Sequence, residues 1–190
     1  MKKLILCLAA VSIIACTGCT GKETGTDTAN ATENNAAVTS AAEDGKFNFD
    51  STVGNMKICG QSVSLPCKFS DLGEGFEYSD PIEDTNNNYM FTTFMYNGTD
   101  IGTIYLELRD DGKYEESQIV SMILNSKSEA EINGVTMESS EEDVKKALGD
   151  DFEKNDYTLA YGSDEKGSVS VLMNSMTNTP MSVTIIMPKE

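Results

Sequence analysis

Cys59 and Cys67, in the stretch KICGQSVSLPCKF, are two thiols eight positions apart. In an oxidising compartment such a pair can close a disulfide, whereas an organism living without oxygen leaves both reduced. A catalytic thiol needs a neighbour that lowers its pKa, and no histidine or dense basic patch flanks either cysteine. Asp84-x-Asn86-x-Asn88 opens like a calcium loop, but Tyr89 stands where the tight glycine belongs and Met95 where the bidentate glutamate belongs. A solvated loop is therefore expected there. Asp110-Asp111-Gly112 with Glu115-Glu116 has the composition of a turn flanked by solvated charge. The chain has no histidine at all, which excludes Ser-His-Asp and Cys-His catalysis and histidine-ligated zinc. No phosphate loop or nucleophile elbow occurs. The expectation is no catalytic residue, no metal site and no cofactor.

The N-terminus carries a different chemistry. Met1, Lys2 and Lys3 precede the uncharged run LILCLAAVSIIA, Leu4 to Ala15. A basic start, a short apolar core and a small residue before the cut mark a secretory signal. The run falls short of the roughly 20 residues that span a bilayer. Ile13-Ile14-Ala15-Cys16 resembles the bacterial lipobox, in which the cysteine becomes the acylated first residue. Cys19 is the runner-up, because it carries Cys16 where a branched aliphatic residue is usual. Residues 1–15 are thus expected to be a lipoprotein signal peptide. The mature chain would be lipid-anchored on the outer, extracytoplasmic face of a cell membrane, its lipid chains supplying stable attachment.

Charge sharpens the choice of partners. The sequence holds 14 basic and 31 acidic residues, a net charge of −17. Such a surface repels phosphate backbones and anionic head groups, so nucleic acid is not an expected partner. Tryptophan is absent as well, which weakens a carbohydrate-stacking role.

Positions 16–46 hold mostly Thr, Ala, Asn, Gly and acids, with Val38 the only branched apolar residue from Thr20 to Lys46. That composition cannot bury enough apolar area to offset chain entropy, so a disordered tether is expected. Its reach is on the order of 30 Å. Residues 47–190 suffice for one domain.

This domain contains an internal repeat. ICGQSVSLPCKFSDLGEGFEYSD (58–80) lies on INGVTMESSEEDVKKALGDDFEKND (132–156), matching Ile58 with Ile132, Gly60 with Gly134, Leu72 with Val144 and Phe76 with Phe152. Repeat one spans about 55–125 and repeat two about 127–188. In the second copy Ser140-x-x-Asp143 is a capping-box pattern, and Val144, Ala147 and Leu148 form one stripe before Gly149, which predicts a helix over about 140–148. Period-two alternation follows in DYTLAYG, SVSVLM and MSVTIIM. The first copy has a weaker helix, about 68–74, and strands joined by Asn97-Gly98, a strong hairpin signal. The fold class these patterns predict is α+β: two tandem helix-plus-antiparallel-sheet repeats with the helices packed on one face of the sheet.

A helix closed by Asp-Val-x-x-x-Leu-Gly and followed by an antiparallel sheet, used twice, resembles the β-lactamase-inhibitor-protein fold. Small lipoproteins of the SmpA/OmlA outer-membrane-assembly type share one copy of it. The motif here is SSEEDVKKALGDDF, and the resemblance covers about residues 55–187. GQSVSLPCKFSDL is also similar to tandem-repeat lipoproteins of unknown function from anaerobic Gram-positive bacteria. The resemblance implies the fold and transfers no contact residue.

In YMFTTFMY, residues 89–96, both faces of the strand are apolar or aromatic. An open row from Tyr89, Phe91, Phe94, Tyr96 and Tyr105 would make a binding surface; the other reading packs these rings between the two repeats. The expected function is a non-catalytic binding or interaction module at the cell surface, its partner an envelope or surface protein or peptide. The alternatives are an inhibitor of a secreted hydrolase and an envelope enzyme using paired carboxylates.

Overall fold

The computed structural model describes residues 45–189. The proposed signal peptide, Cys16, Cys19 and nearly all of the tether lie outside the described residues. Two helices are present among those described, α1 (Phe49–Val53) and α2 (Glu141–Leu148). The strands of the first half are β1 (Met56–Ile58), β2 (Gln61–Val63), β3 (Phe76–Tyr78), β4 (Ile82–Asp84), β5 (Tyr89–Tyr96), β6 (Thr99–Glu107) and β7 (Ile119–Asn125). Those of the second are β8 (Glu131–Ile132), β9 (Val135–Thr136), β10 (Glu153–Asn155), β11 (Thr158–Ser163), β12 (Gly167–Met173) and β13 (Pro180–Ile186).

Two short hairpins start the two halves. Cys59-Gly60 (φ 50° and 76°) turns β1 into β2, and Asn133-Gly134 (φ 51° and 84°) turns β8 into β9. Two consecutive positive φ values give the turn whose twist matches that of its strands. The hairpins pair with each other through Met56↔Ile132 and Lys57↔Glu131, making a four-stranded antiparallel sheet in the order β2-β1-β8-β9. The larger sheet runs β10-β11-β12-β13-β7-β6-β5-β3, with β4 also paired to β5. Its two halves meet where β7 pairs antiparallel with β13, Ile123 opposite Thr184. Hairpin, helical turn, short strand and three long strands thus recur, and each copy meets its counterpart through the same strand, β1 with β8 and β7 with β13.

Alternation gives the large sheet two different faces. Met90, Phe94, Ile104, Leu106, Met122, Leu124, Leu159, Tyr161, Val169, Val171, Val183 and Ile185 are buried on the inner face. They join Met56, Ile58, Val63, Ile132 and Val135 of the small sheet, Phe49 and Val53 of α1, and Val144 and Leu148 of α2 in one hydrophobic cluster. The small sheet and the two short helices therefore contribute to one core with this face.

This overturns the α+β expectation. The fold is β-rich and antiparallel, with helices of five and eight residues that form no layer of their own. In the first half the expected helix closes as a four-residue 3-10 turn, Phe69–Leu72. The physical reason is legible afterwards: the hairpin strands are two or three residues long, too short to display an alternation, and pairing between distant hairpins supplies their stability. In α2 the local signals act as the sequence indicates. The Ser140 hydroxyl accepts from the Asp143 N–H at 3.2 Å while the Asp143 carboxylate accepts from the Ser140 N–H at 3.1 Å. Asn97-Gly98 joins β5 to β6, with φ 47° and 75°.

Gly102 sits in the middle of β6 at φ 148°, and a Cβ there would lie 1.9 Å from the Ile123 carbonyl oxygen. Only glycine lets β6 and β7 approach this closely. The adjoining irregularity in the β5–β6 register, between Phe94 and Met95, is stapled by the Asp100 carboxylate, which accepts from the Gly102 N–H at 2.9 Å.

Candidate interaction surface

The outer face of the large sheet has no layer packed on it from the elements described. Cross-strand pairing lays its residues out in rows. One runs Thr93, Thr103, Ile123, Thr184, Ser170 and Ala160 across β5, β6, β7, β13, β12 and β11. These side chains are half-buried, packed against neighbours in the sheet but open above.

At the β4–β6 end the rows turn aromatic. Ile82 opposes Phe91, which opposes Tyr105. The next row places Asp84 opposite Tyr89 and Tyr89 opposite Glu107. Tyr105 meets both other rings, edge-on to Tyr89 at 5.3 Å between centroids and stacked on Phe91 at 5.8 Å. Ile82 is 58% exposed. Directly opposed side chains have Cβ atoms about 4.5–5.5 Å apart, so the rings, Ile82 and the two carboxylates form one contiguous corner.

Of the five aromatic residues singled out, the structure brings Tyr89, Phe91 and Tyr105 together on this face. Phe94 and Tyr96 point the other way and do not belong to the surface. Phe94 is fully buried, between Phe76 at 5.4 Å and Phe69 at 6.3 Å. Tyr96 leans on Phe76 at 4.9 Å, and its hydroxyl accepts from Gln61 Nε2 at 3.2 Å. A strand apolar on both faces carries no sign of which face is inside. Ile82 and Glu107 join this surface without a sequence signal beyond the lone apolar Ile82 in a polar segment, and Asp84 joins it from a segment whose composition predicts a solvated loop.

Asp84 is tied to its own loop and to the Tyr89 hydroxyl, yet keeps its negative charge at the corner. Its carboxylate accepts from the Asn87 side chain at 2.8 Å and from the Asn86 and Asn87 N–H groups at 3.1 and 3.2 Å. The Asn87 side-chain bond is the main reason its carboxyl lies below the usual range. The loop turns β4 into β5 with these bonds. Beyond β6, Asp111 accepts from Arg109 through both oxygens, each at 3.0 Å, which holds its carboxyl at about 2. Among the described residues no group of three or more Cys, Asp or Glu side chains is placed to hold a metal ion.

The surrounding loop is clamped by phenols. Tyr114 donates to Glu83 and Tyr78 donates to Glu115 at 2.8 Å. The bond to Glu83 pushes the Tyr114 phenol up to about 12, and burial followed by the Glu115 bond does the same for Tyr78. Both groups donate while neutral, and the shift favours that state.

Cys59 and Cys67 are free thiols in the structure, so the possible disulfide is not formed there. Cys59 sits in the β1–β2 turn and its Sγ–H donates to the Ser128 carbonyl at 3.3 Å. Burial, then Glu129, raises its pKa. Burial, then Asp71, raises that of Cys67 to about 11. Neither is poised as a thiolate nucleophile.

A wide hollow of about 760 Å³ lies at the opposite edge of the sheet, lined by Phe47, Phe49, Asp50, Glu153, Glu165 and Lys166 among others. The chain enters the domain here. The Asp150 N–H donates to the Gly45 carbonyl at 3.2 Å, and Phe47 packs on Tyr161 at 5.5 Å. No helix among the described residues is long and apolar enough to cross a membrane. Comparison with protein-family models, curated proteins and solved structures finds no match to this chain.

Proposed function

We propose that the protein is a non-catalytic binding module held by an N-terminal lipid on the outer face of a bacterial cell membrane. The observation that carries this reading is the asymmetry of the large sheet: one face is sealed into the core, while the other presents three clustered rings and a row of hydroxyls to solvent. Rimmed apolar surface of this kind is what interfaces are built from. Support comes also from the titratable groups. Asp84, Asp111, Glu141 and Asp143 are held below the usual carboxylate range by hydrogen-bond partners, which makes these four poor general acids. The anchor rests on Ile13-Ile14-Ala15-Cys16, and the polar tether gives the domain room to work away from the lipid.

Two measurements test the two parts. Metabolic labelling with a palmitate analogue is expected to mark the wild type and the Cys19→Ala variant but not Cys16→Ala. Labelling lost with Cys19→Ala instead moves the anchor, and an unlabelled wild type removes it. A photo-crosslinking residue at Thr103, on the open face, is expected to capture an envelope component on intact cells, whereas one at Ser62 on the small sheet captures none. Equal capture from both positions overturns the assignment of the face.

A further inference from the structure

We infer that the β4–β6 corner of the open face docks a basic polypeptide segment, with an arginine or lysine side chain lying on the Tyr89, Phe91 and Tyr105 rings between the Asp84 and Glu107 carboxylates. This rests on the binding-module reading above and names its partner's chemistry. Three observations converge. Asp84, Tyr89 and Glu107 occupy one cross-strand row, which places a carboxylate on each side of a ring. Tyr105 contacts Tyr89 edge-on and Phe91 in a stack, so the rings form one cluster, and aromatic ring faces of this kind attract a cation. Residues 80–116 hold nine acids and two bases, Arg109 and Lys113; Arg109 forms two hydrogen bonds with Asp111 and lies within electrostatic reach of Glu107, so the acids still outnumber the cations. The corner therefore supplies apolar area, ring faces and unbalanced negative charge together.

The same charges exclude other occupants. The chain's own segment from Thr20 to Lys46 carries five acids against two lysines and would bring like charge to the corner. A second copy would set Asp84 and Glu107 against their equivalents in a protein whose net charge is −17. An anionic polymer meets the same repulsion. A neutral glycan would use the rings but gives the flanking carboxylates no role.

The test uses the purified full chain and a fluorescein-labelled peptide of five Arg-Gly repeats, read by fluorescence anisotropy at about 100 mM salt, where long-range attraction is largely screened. Matching Glu-Gly and Ser-Gly peptides and chitohexaose are the comparison probes. Binding of the arginine peptide alone is expected. Tyr105→Leu should weaken it about five-fold or more and Tyr105→Phe should retain it, since the ring supplies the attraction. Asp84→Asn with Glu107→Gln should weaken it about ten-fold, while Glu138→Gln with Glu142→Gln, an equal change of net charge elsewhere, should alter it less than about two-fold. Equal effects of the two double variants, an unaltered Tyr105→Leu, or chitohexaose binding indifferent to the carboxylates each overturn the proposal. If the arginine peptide fails while Thr103 still crosslinks a partner on cells, the partner's chemistry is wrong and the binding-module reading survives; if both fail, both fall.

Discussion

Phe91 and Phe94 lie three residues apart on β5 and face opposite ways, so truncating each in turn tests the register on which the open face depends. Phe94 is fully buried against Phe76 and Phe69. Phe94→Ala removes the whole ring from the core and leaves a void that the sheet cannot collapse, which costs about 3–5 kcal/mol. Phe91 is half-buried on the outer face. Its truncation loses about half of the 1.5–3 kcal/mol for a fully buried side chain and part of a ring pair with Tyr105 worth about 0.5–1.5 kcal/mol. No closed cavity is left, and the sum is about 1–2 kcal/mol. Urea denaturation followed by circular dichroism reads the difference. With a slope of about 2 kcal/mol/M, the Phe94→Ala midpoint should fall about 1 M further than that of Phe91→Ala. A domain stabilised by about 5–15 kcal/mol in total makes such a gap easy to resolve. A one-residue slip in β5 would exchange the two faces. A Phe91→Ala variant as destabilised as Phe94→Ala would therefore refute both the register and the surface built on it.

Other outcomes follow from single contacts. Gly102→Ala should cost about 2–5 kcal/mol in a thermal or urea melt, because the new Cβ meets the Ile123 carbonyl in a backbone region that side chains rarely adopt. Ser140→Ala should cost about 1 kcal/mol by loss of the α2 cap, measurable as a small fall in midpoint at unchanged slope. Among the described residues the buried Tyr161 hydroxyl has no hydrogen-bond partner, so Tyr161→Phe should leave stability unchanged or slightly raised in the same melt. Asp111 should titrate by NMR near 2, and Arg109→Gln should return it toward the ordinary carboxylate value. Because its folded pKa is depressed, its contribution to stability is present above pH 4 and is lost as pH falls toward about 2.

Local chemistry in the sequence determined those elements whose cause is local. The Ser140–Asp143 cap, the apolar stripe of α2, the Asn97-Gly98 turn and the alternation in β11, β12 and β13 each need only neighbouring residues, and each can be read along the chain. What tertiary structure alone decided was everything resting on pairing between distant segments. The short hairpins became a second sheet only because Met56 found Ile132, and this turned an expected α+β architecture into a β-rich one. The open face was decided in the same way. Period two separates Tyr89 and Phe91 from Phe94 and Tyr96, but with apolar residues on both sides it cannot say which row faces water. That is settled by which face joins the small sheet and the short helices in the core, a fact carried by no single stretch of sequence.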